Sequence, residues 1–214
     1  MTNYLNHIII SPDNNSFRYV DSDHKIIVGK SDPNQENYDE LVFASRDVTN
    51  VIIPDYVKRI RPYAFECCSI LEKVEISPNS LLQEIGGFSF AETKIESLYL
   101  PKNVEKLDDC WCRRTSNLTN VIISDENKHF KYDIQNNIIV GKSDPEKELY
   151  DEIYFARRNI YRIKIPKYIK TIKSCAFDYC QHLCCIEFEK DSKLETIGDY
   201  SFVFTNMNAV VIPK

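Results

Sequence analysis

The chain repeats itself at two scales, and this limits the fold more than any other feature. Val51-Ile52-Ile53-Pro54 returns as Ile163-Lys164-Ile165-Pro166, 112 residues on. The same offset carries Gly29-Lys30-Ser31-Asp32-Pro33 onto Gly141-Lys142-Ser143-Asp144-Pro145, and Leu100-Pro101-Lys102 onto Ile212-Pro213-Lys214. Within each copy, apolar-x-apolar triplets start at Ile8, Val51, Val74, Leu98, Val121, Ile163, Ile186 and Val210, in steps of 43, 23, 24, 23, 42, 23 and 24 residues. Alternation over three residues predicts short strands, outer residues inward and the middle one outward. A unit of this length cannot bury its own apolar side, so neighbours must stack. Residues 1–214 therefore read as a single solenoid, duplicated over 8–120 and 121–214. The two long steps carry insertions at about 18–44 and 131–156.

Between strands a second pattern recurs. Pro54 is followed by Val57, Ile60, Ala64-Phe65, Cys68 and Leu71, and Pro166 by Ile169, Ile172, Ala176-Phe177, Cys180 and Leu183. This motif resembles the BspA-type leucine-rich repeat, a family found in surface proteins of oral bacteria and in large arrays in parasitic protozoa such as trichomonads. The resemblance runs from about Ile8 to Lys214. It departs locally at Trp111-Cys112, where Ala-Phe is expected, and at Ser89 and Ser201, which replace alanine. The expected fold is an α/β repeat: a right-handed leucine-rich-repeat solenoid with a parallel β-sheet on its concave face. Short helical turns around the Ala-Phe pairs should lie on the convex face. Each insertion reads as a hairpin, Lys25–Val28 with Glu40–Phe43 and Ile138–Val140 with Ile153–Phe155.

Several candidate chemistries give way to plainer readings. Gly29-Lys30-Ser31 and Gly141-Lys142-Ser143 resemble the tail of a phosphate loop, but His24 and Asn136 stand where its first glycine belongs, and no helix pattern follows. The eight cysteines read as small buried hydrophobes rather than a disulfide framework. Cys68 and Cys180 occupy a position that other coils fill with Thr93, Thr115 and Thr205, as in a ladder of weak donors under each turn. Cys112 and Trp111 exchange volume with the usual phenylalanine and alanine. The run Cys180-Gln181-His182-Leu183-Cys184-Cys185 contains no C-x-x-C knuckle, so no metal is expected. His182 is the only base near a thiol, and no constellation supports an enzyme; neither cofactor nor catalytic residue is expected.

Binding is the remaining class. The outward strand residues are Ile9, Ile52, Glu75, Tyr99, Ile122, Lys164, Glu187 and Val211, and four aliphatics in such a row compose a contact patch unless the insertions cover it. The stretch 157–173 holds Arg157, Arg158, Arg162, Lys164, Lys167, Lys170 and Lys173 with no acid. Part of that charge should attract acidic protein or sulfated glycan. The candidate partner-binding residues are thus Ile52, Glu75, Tyr99, Ile122, Lys164, Glu187, Arg162, Lys167 and Lys170. A net charge of -5 argues against a nucleic-acid partner, and no apolar run approaches the roughly 18 residues of a membrane span.

The resemblance implies a non-enzymatic module for a protein or glycan ligand on host cell or matrix, at the cell surface. An intracellular scaffold is the alternative, because Met1-Thr2-Asn3-Tyr4 shows no leader. Sequons at Asn14-Asn15-Ser16 and Asn117-Leu118-Thr119 would separate the two if glycosylated. The uncapped terminal triplets further suggest end-to-end self-association, or a piece of a longer array.

Overall fold

The computed structural model describes residues 5–133 and 135–213; Met1–Tyr4, where the leader was sought, lie outside them. Three antiparallel strands come first, β1 (Phe17–Tyr19), β2 (Ile26–Gly29) and β3 (Glu40–Ala44). Three regular coils follow, each a four-residue strand and a two-residue strand: β4 (Asn50–Ile53) and β5 (Arg59–Ile60), β6 (Lys73–Ile76) and β7 (Glu84–Ile85), β8 (Ser97–Leu100) and β9 (Lys106–Leu107). β10 (Asn120–Ile123) leads into a second meander, β11 (Phe130–Asp133), β12 (Ile138–Gly141) and β13 (Glu152–Ala156). Two more coils complete the order: β14 (Arg162–Ile165) and β15 (Thr171–Ile172), β16 (Cys185–Phe188) and β17 (Thr196–Ile197).

The long strands pair in parallel and in register, β4 with β6, β8 with β10, β14 with β16. They alternate as the triplets predict: Val51 and Ile53 are buried and Ile52 is exposed. The short strands build the opposite side. There the insertions are not appendages: each supplies three strands rather than two, and the third joins the coil ladder, so one sheet runs β1-β2-β3-β5-β7-β9 and another β11-β12-β13-β15-β17. The terminal triplets form no strands. At Ile8–Ile10 the backbone turns to a side chain instead, with Ile10 N–H donating to the Tyr19 hydroxyl (3.0 Å), which donates to Ile8 O.

No helix occurs among the described residues, which corrects the expected helical turns. The spacing of Ala64, Phe65, Cys68 and Leu71 mimics a helix face, but the backbone N–H groups alternate between two destinations. Those of Ala64, Glu66 and Cys68 bond three residues back, while those of Tyr63, Phe65 and Cys67 reach Gly87, Ser89 and Ala91 of the next coil. A helix would keep all of them for itself. Two left-handed residues four apart close each arc, Tyr63 and Cys67 here, Cys175 and Tyr179 in the second copy. The turns stack, and Phe65 lies on Phe90 with ring centroids 5.1 Å apart.

One repeat position directly before the short-strand apolar residue carries a ladder of opposite charges. Glu40, Arg59, Glu84 and Lys106 face one another across β3, β5, β7 and β9, with Arg59 at 2.5 Å from Glu40 and 2.8 Å from Glu84, and Lys106 at 2.8 Å from Glu84. In the second copy the same row reads Glu152, Thr171, Thr196 and is not ionic. Burial opposes ionisation of Glu84, but hydrogen bonds from Lys106 and Arg59 prevail and hold its pKa below the usual range. Asp39 is likewise lowered: burial raises it, and the Ser31 N–H and hydroxyl and the Gln35 amide outweigh that. A carboxylate with a depressed folded pKa contributes stability that is complete above the ordinary carboxylate range and is lost as pH falls through it. The β5–β7–β9 amides should therefore lose hydrogen-exchange protection at a higher pH than those of β15–β17, where only Asp151 carries a comparable shift. Simultaneous loss in both sheets on acid titration would remove the ladder's part in stability.

Candidate recognition face

The long strands, paired two by two as β4-β6, β8-β10 and β14-β16, present their outward side chains on one side. Asn50, Lys73, Ser97 and Asn120 form the first line there, and Ile52, Glu75, Tyr99 and Ile122 the second, locked by the pairings Ile52↔Glu75 and Tyr99↔Ile122. The insertions do not cover these residues: Ile52 is 69% exposed and Ile122 51%. Tyr99 is half-buried and packs on the core beneath. Glu75, the register partner of Ile52, is held by Lys73 on its own strand at 2.6 Å, so its charge is neutralised within β6. The arrangement is an apolar strip with one neutralised gap, suited to excluding water against a complementary surface.

Beyond β10 the row is interrupted by the second meander. The edge of β10 is capped by Tyr132, whose hydroxyl accepts the Val121 N–H at 3.1 Å. Arg157 lays its guanidinium over the Tyr132 ring at 5.0 Å and reaches Asn120 Oδ1 at 3.5 Å. The row resumes at β14 and β16 with Arg162, Lys164 and Glu187, all exposed, Lys164 opposite Glu187 in register.

The basic stretch does not gather into one patch. Arg158 is only 3% exposed. Lys170 pairs with Asp151 at 3.2 Å, and Lys173 lies 3.6 Å from Asp109. Lys167 gives its backbone N–H to Glu189. Arg162 and Lys164 alone bring this charge to the long-strand face. An outward strand residue is legible from alternation; the destination of a loop cation is not.

The other sequence candidates also find places. In both glycine-lysine-serine turns the serine N–H and hydroxyl bond a carboxylate of the chain itself, Ser31 to Asp39 and Ser143 to Asp151, so an internal anion holds the turn. His182 stacks beside Tyr161 with centroids 5.3 Å apart. Among the described residues no three His, Cys, Asp or Glu side chains converge as metal ligands. Cys68 and Cys180 are fully buried, and each gives its S–H to a carbonyl of the preceding coil, Ser45 and Arg157 respectively. One cysteine reading is overturned: Cys110 and Cys175 form a disulfide, Cα to Cα 5.0 Å.

Coils of this length, long strands on one side and stacked Ala-Phe turns on the other, match a known repeat type. The BspA type leucine rich repeat region matches six copies over residues 36–140 and 147–214. The chain belongs to this family. Among solved structures, the pneumococcal vaccine antigen PcpA aligns with a TM-score of 0.67 at 23% identity, over 81% of this chain and 42% of that one. A leucine rich cell surface protein from Faecalibacterium prausnitzii aligns with a TM-score of 0.61 at 19% identity, over 71% and 38%. A leucine-rich repeat protein from Eubacterium ventriosum gives 0.52 at 15%, over 87% and 63%. These likenesses concern the fold, and the chain spans less than half the length of the first two. No curated protein matches the chain. Membership in this repeat family points to a protein-interaction module.

Proposed function

We propose that this BspA-type repeat is a non-enzymatic recognition module, working at a cell surface or in the extracellular space, whose long-strand face binds a protein or glycan of a host cell or matrix. The observation that carries the reading is the pair of exposed aliphatics Ile52 and Ile122 flanking half-buried Tyr99, each fixed by the parallel pairing of its own strand and left uncovered by both insertions. Large aliphatics at such exposure are costly to leave in water and gain energy when a partner covers them. Arg162, Lys164 and Glu187 extend the face with charge that steers and selects rather than drives association. The cell-surface protein among the solved structures shares the fold, and a disulfide suits an oxidising compartment. A cytosolic scaffold is the competing reading, favoured by the six unpaired cysteines, of which Cys184 is exposed.

The test has two parts. Antibody to the chain should stain intact, unpermeabilised source cells; staining only after permeabilisation would sink the surface reading. The purified chain should bind cultured host cells or immobilised matrix protein saturably. Ile52→Asp with Ile122→Asp should weaken this at least about tenfold, since interface energy concentrates in central buried contacts. Charge reversal at Arg162 and Lys164 should instead slow association and reduce its salt dependence. Full binding by the double aspartate variant would move the site elsewhere.

A further inference from the structure

The two copies of the solenoid meet at a joint unlike any other contact between coils. Elsewhere neighbouring turns are tied by backbone bonds: Tyr63, Phe65 and Cys67 to the 87–91 turn, Phe90 and Glu92 to Trp111 and Arg113, Cys175, Phe177 and Tyr179 to Asp199, Ser201 and Val203. Between the 110–115 turn and the 175–180 turn the ties are made by side chains. The Arg114 N–H donates to Asp178 Oδ2 at 2.7 Å, the Ser174 hydroxyl donates to Asp109 at 3.0 Å, and Arg158 Nη2 reaches Cys112 Sγ at 3.3 Å. Both sheets stop here: β9 ends one short-strand sheet and β11 begins the other, and β10 is unpaired with β14. The core divides into two clusters close by: Phe130, Ile139 and Phe155 of the second copy join Trp111 in the first, and Ala176 and Phe177 belong to the second. Of the six buried side-chain polar atoms without a partner among the described residues, five belong to Trp111, Arg113, Arg157, Arg158 and Asp178, all at this joint. Buried groups without partners weaken the packing around them, which favours opening along this plane.

Cys110 and Cys175 cross that plane, 6% and 4% exposed. They hold the same repeat position, the first left-handed residue of each turn, which Tyr63, Phe88 and Tyr200 occupy in the other coils. Arg113 bridges over them, its guanidinium 5.9 Å from the Phe88 ring and 4.4 Å from the Tyr200 ring. We propose that Cys110–Cys175 is a redox clasp that locks the two halves together, and that its reduction frees the joint. The consequence for recognition rests on the function proposed above: Ile52, Tyr99 and Ile122 lie on one side of the joint, Arg162, Lys164 and Glu187 on the other, so opening it breaks their fixed spacing. A dithiol supplies the two electrons. One of its thiolates attacks a clasp sulfur, the Cys110–Cys175 bond breaks into a mixed disulfide and a thiolate, and the second dithiol sulfur closes the reductant's own disulfide. Two cysteine thiols remain after protonation.

A non-reducing peptide map of the native protein should contain the Cys110–Cys175 linked pair. Hydrogen exchange is then followed at 109–115 and 174–180, with the backbone-tied turns 63–68 and 87–92 as internal reference. Reduction with dithiothreitol, and independently Cys110→Ala with Cys175→Ala, should speed exchange at the joint at least about tenfold while the reference turns hold. Absence of the linked pair, unchanged exchange at the joint, or equal acceleration everywhere would each overturn the clasp. A joint that responds as stated in a chain that binds neither host cells nor matrix leaves the clasp standing and removes the function reading.

Discussion

Replacing Arg158 with leucine should lower stability by about 3–5 kcal/mol, the range seen when one member of a buried polar or charged network is removed. Its guanidinium is buried where the inserted coil lacks the stacked turn that the regular coils form at their Ala-Phe position. There Nη1 donates to Ala156 O and Ala176 O, both at 3.3 Å, and the group stacks over Phe155 at 4.7 Å. Leucine fills part of the volume but removes one donor from each carbonyl, leaving Ala176 O with the Ala156 N–H and Ala156 O with the weak Cys180 S–H, and it takes the Arg158 charge away from fully buried Asp178, which keeps only Arg113 and Arg114. Burial already raises the pKa of Asp178, against the Arg114 N–H and the Arg158 charge. A carboxyl whose folded pKa lies above its unfolded value favours the folded state at low pH and works against it as pH rises through its titration. The deficit of Arg158→Leu relative to wild type should therefore be larger at pH 8 than at pH 5. Arg46 makes the equivalent bonds to Ala44 O and Ala64 O in the first copy, but it is half-exposed, and Arg46→Leu should cost about 1–2 kcal/mol. Urea midpoints of the two variants decide the matter: equal losses would mean that burial at the joint adds nothing.

The same missing turn explains what could and could not be read from the sequence. Strand positions were legible because period and alternation coincide, and each triplet with a strand neighbour on the same side formed as expected. The exposed Ile52 and Ile122 followed from that alternation alone. The turns were misread because spacing reports which side chains point inward, and a stacked arc and a helix bury the same ones; what separates them is where the N–H groups go, which depends on the next coil. The disulfide was hidden by counting. Cys110 and Cys175 stand 65 residues apart, a long step plus a short one, which places a whole coil between them. Yet Ala156-Arg157-Arg158-Asn159-Ile160 contains no Ala-Phe-x-x-Cys, so that coil contributes no turn and its neighbours meet. The alternating Glu40, Arg59, Glu84, Lys106 ladder was visible in principle, as opposite charges recurring before each short-strand apolar residue. Arg158 was not: a burial site created by an absent turn has no motif of its own.

The tightest constraint on coil spacing is at two of the five glycines, Gly86 and Gly198, which occupy one position 112 residues apart. Neither needs an unusual backbone angle, so the requirement is room. A Cβ on Gly86 would lie 2.5 Å from the backbone N of Pro62, and one on Gly198 would lie 2.4 Å from the backbone N of Ser174. Both atoms belong to the preceding coil, whose position is set by ladder bonds on either side, Gly86 N–H to Ile60 O at 2.9 Å and Gly198 N–H to Ile172 O at 2.7 Å. The coils must separate locally to admit a methyl group, stretching those bonds and the packing of Ile60 or Ile172 with them. Overpacking of this kind costs about 2–3 kcal/mol, and in a chain of this size each kcal/mol lowers the melting temperature by roughly 2–4 °C. Gly86→Ala and Gly198→Ala should each melt about 5–10 °C below wild type by these measures. Because they share no partner, the double variant should show close to the summed loss. Gly87→Ala is the control, since its Cβ would stand 3.1 Å from Asp109 O and can be relieved by a few tenths of an ångström, for less than half the effect. Calorimetry of the four variants against wild type tests the point, and an unchanged melting temperature for Gly198→Ala would mean that the coils are free to spread and that register is held by the side chains alone.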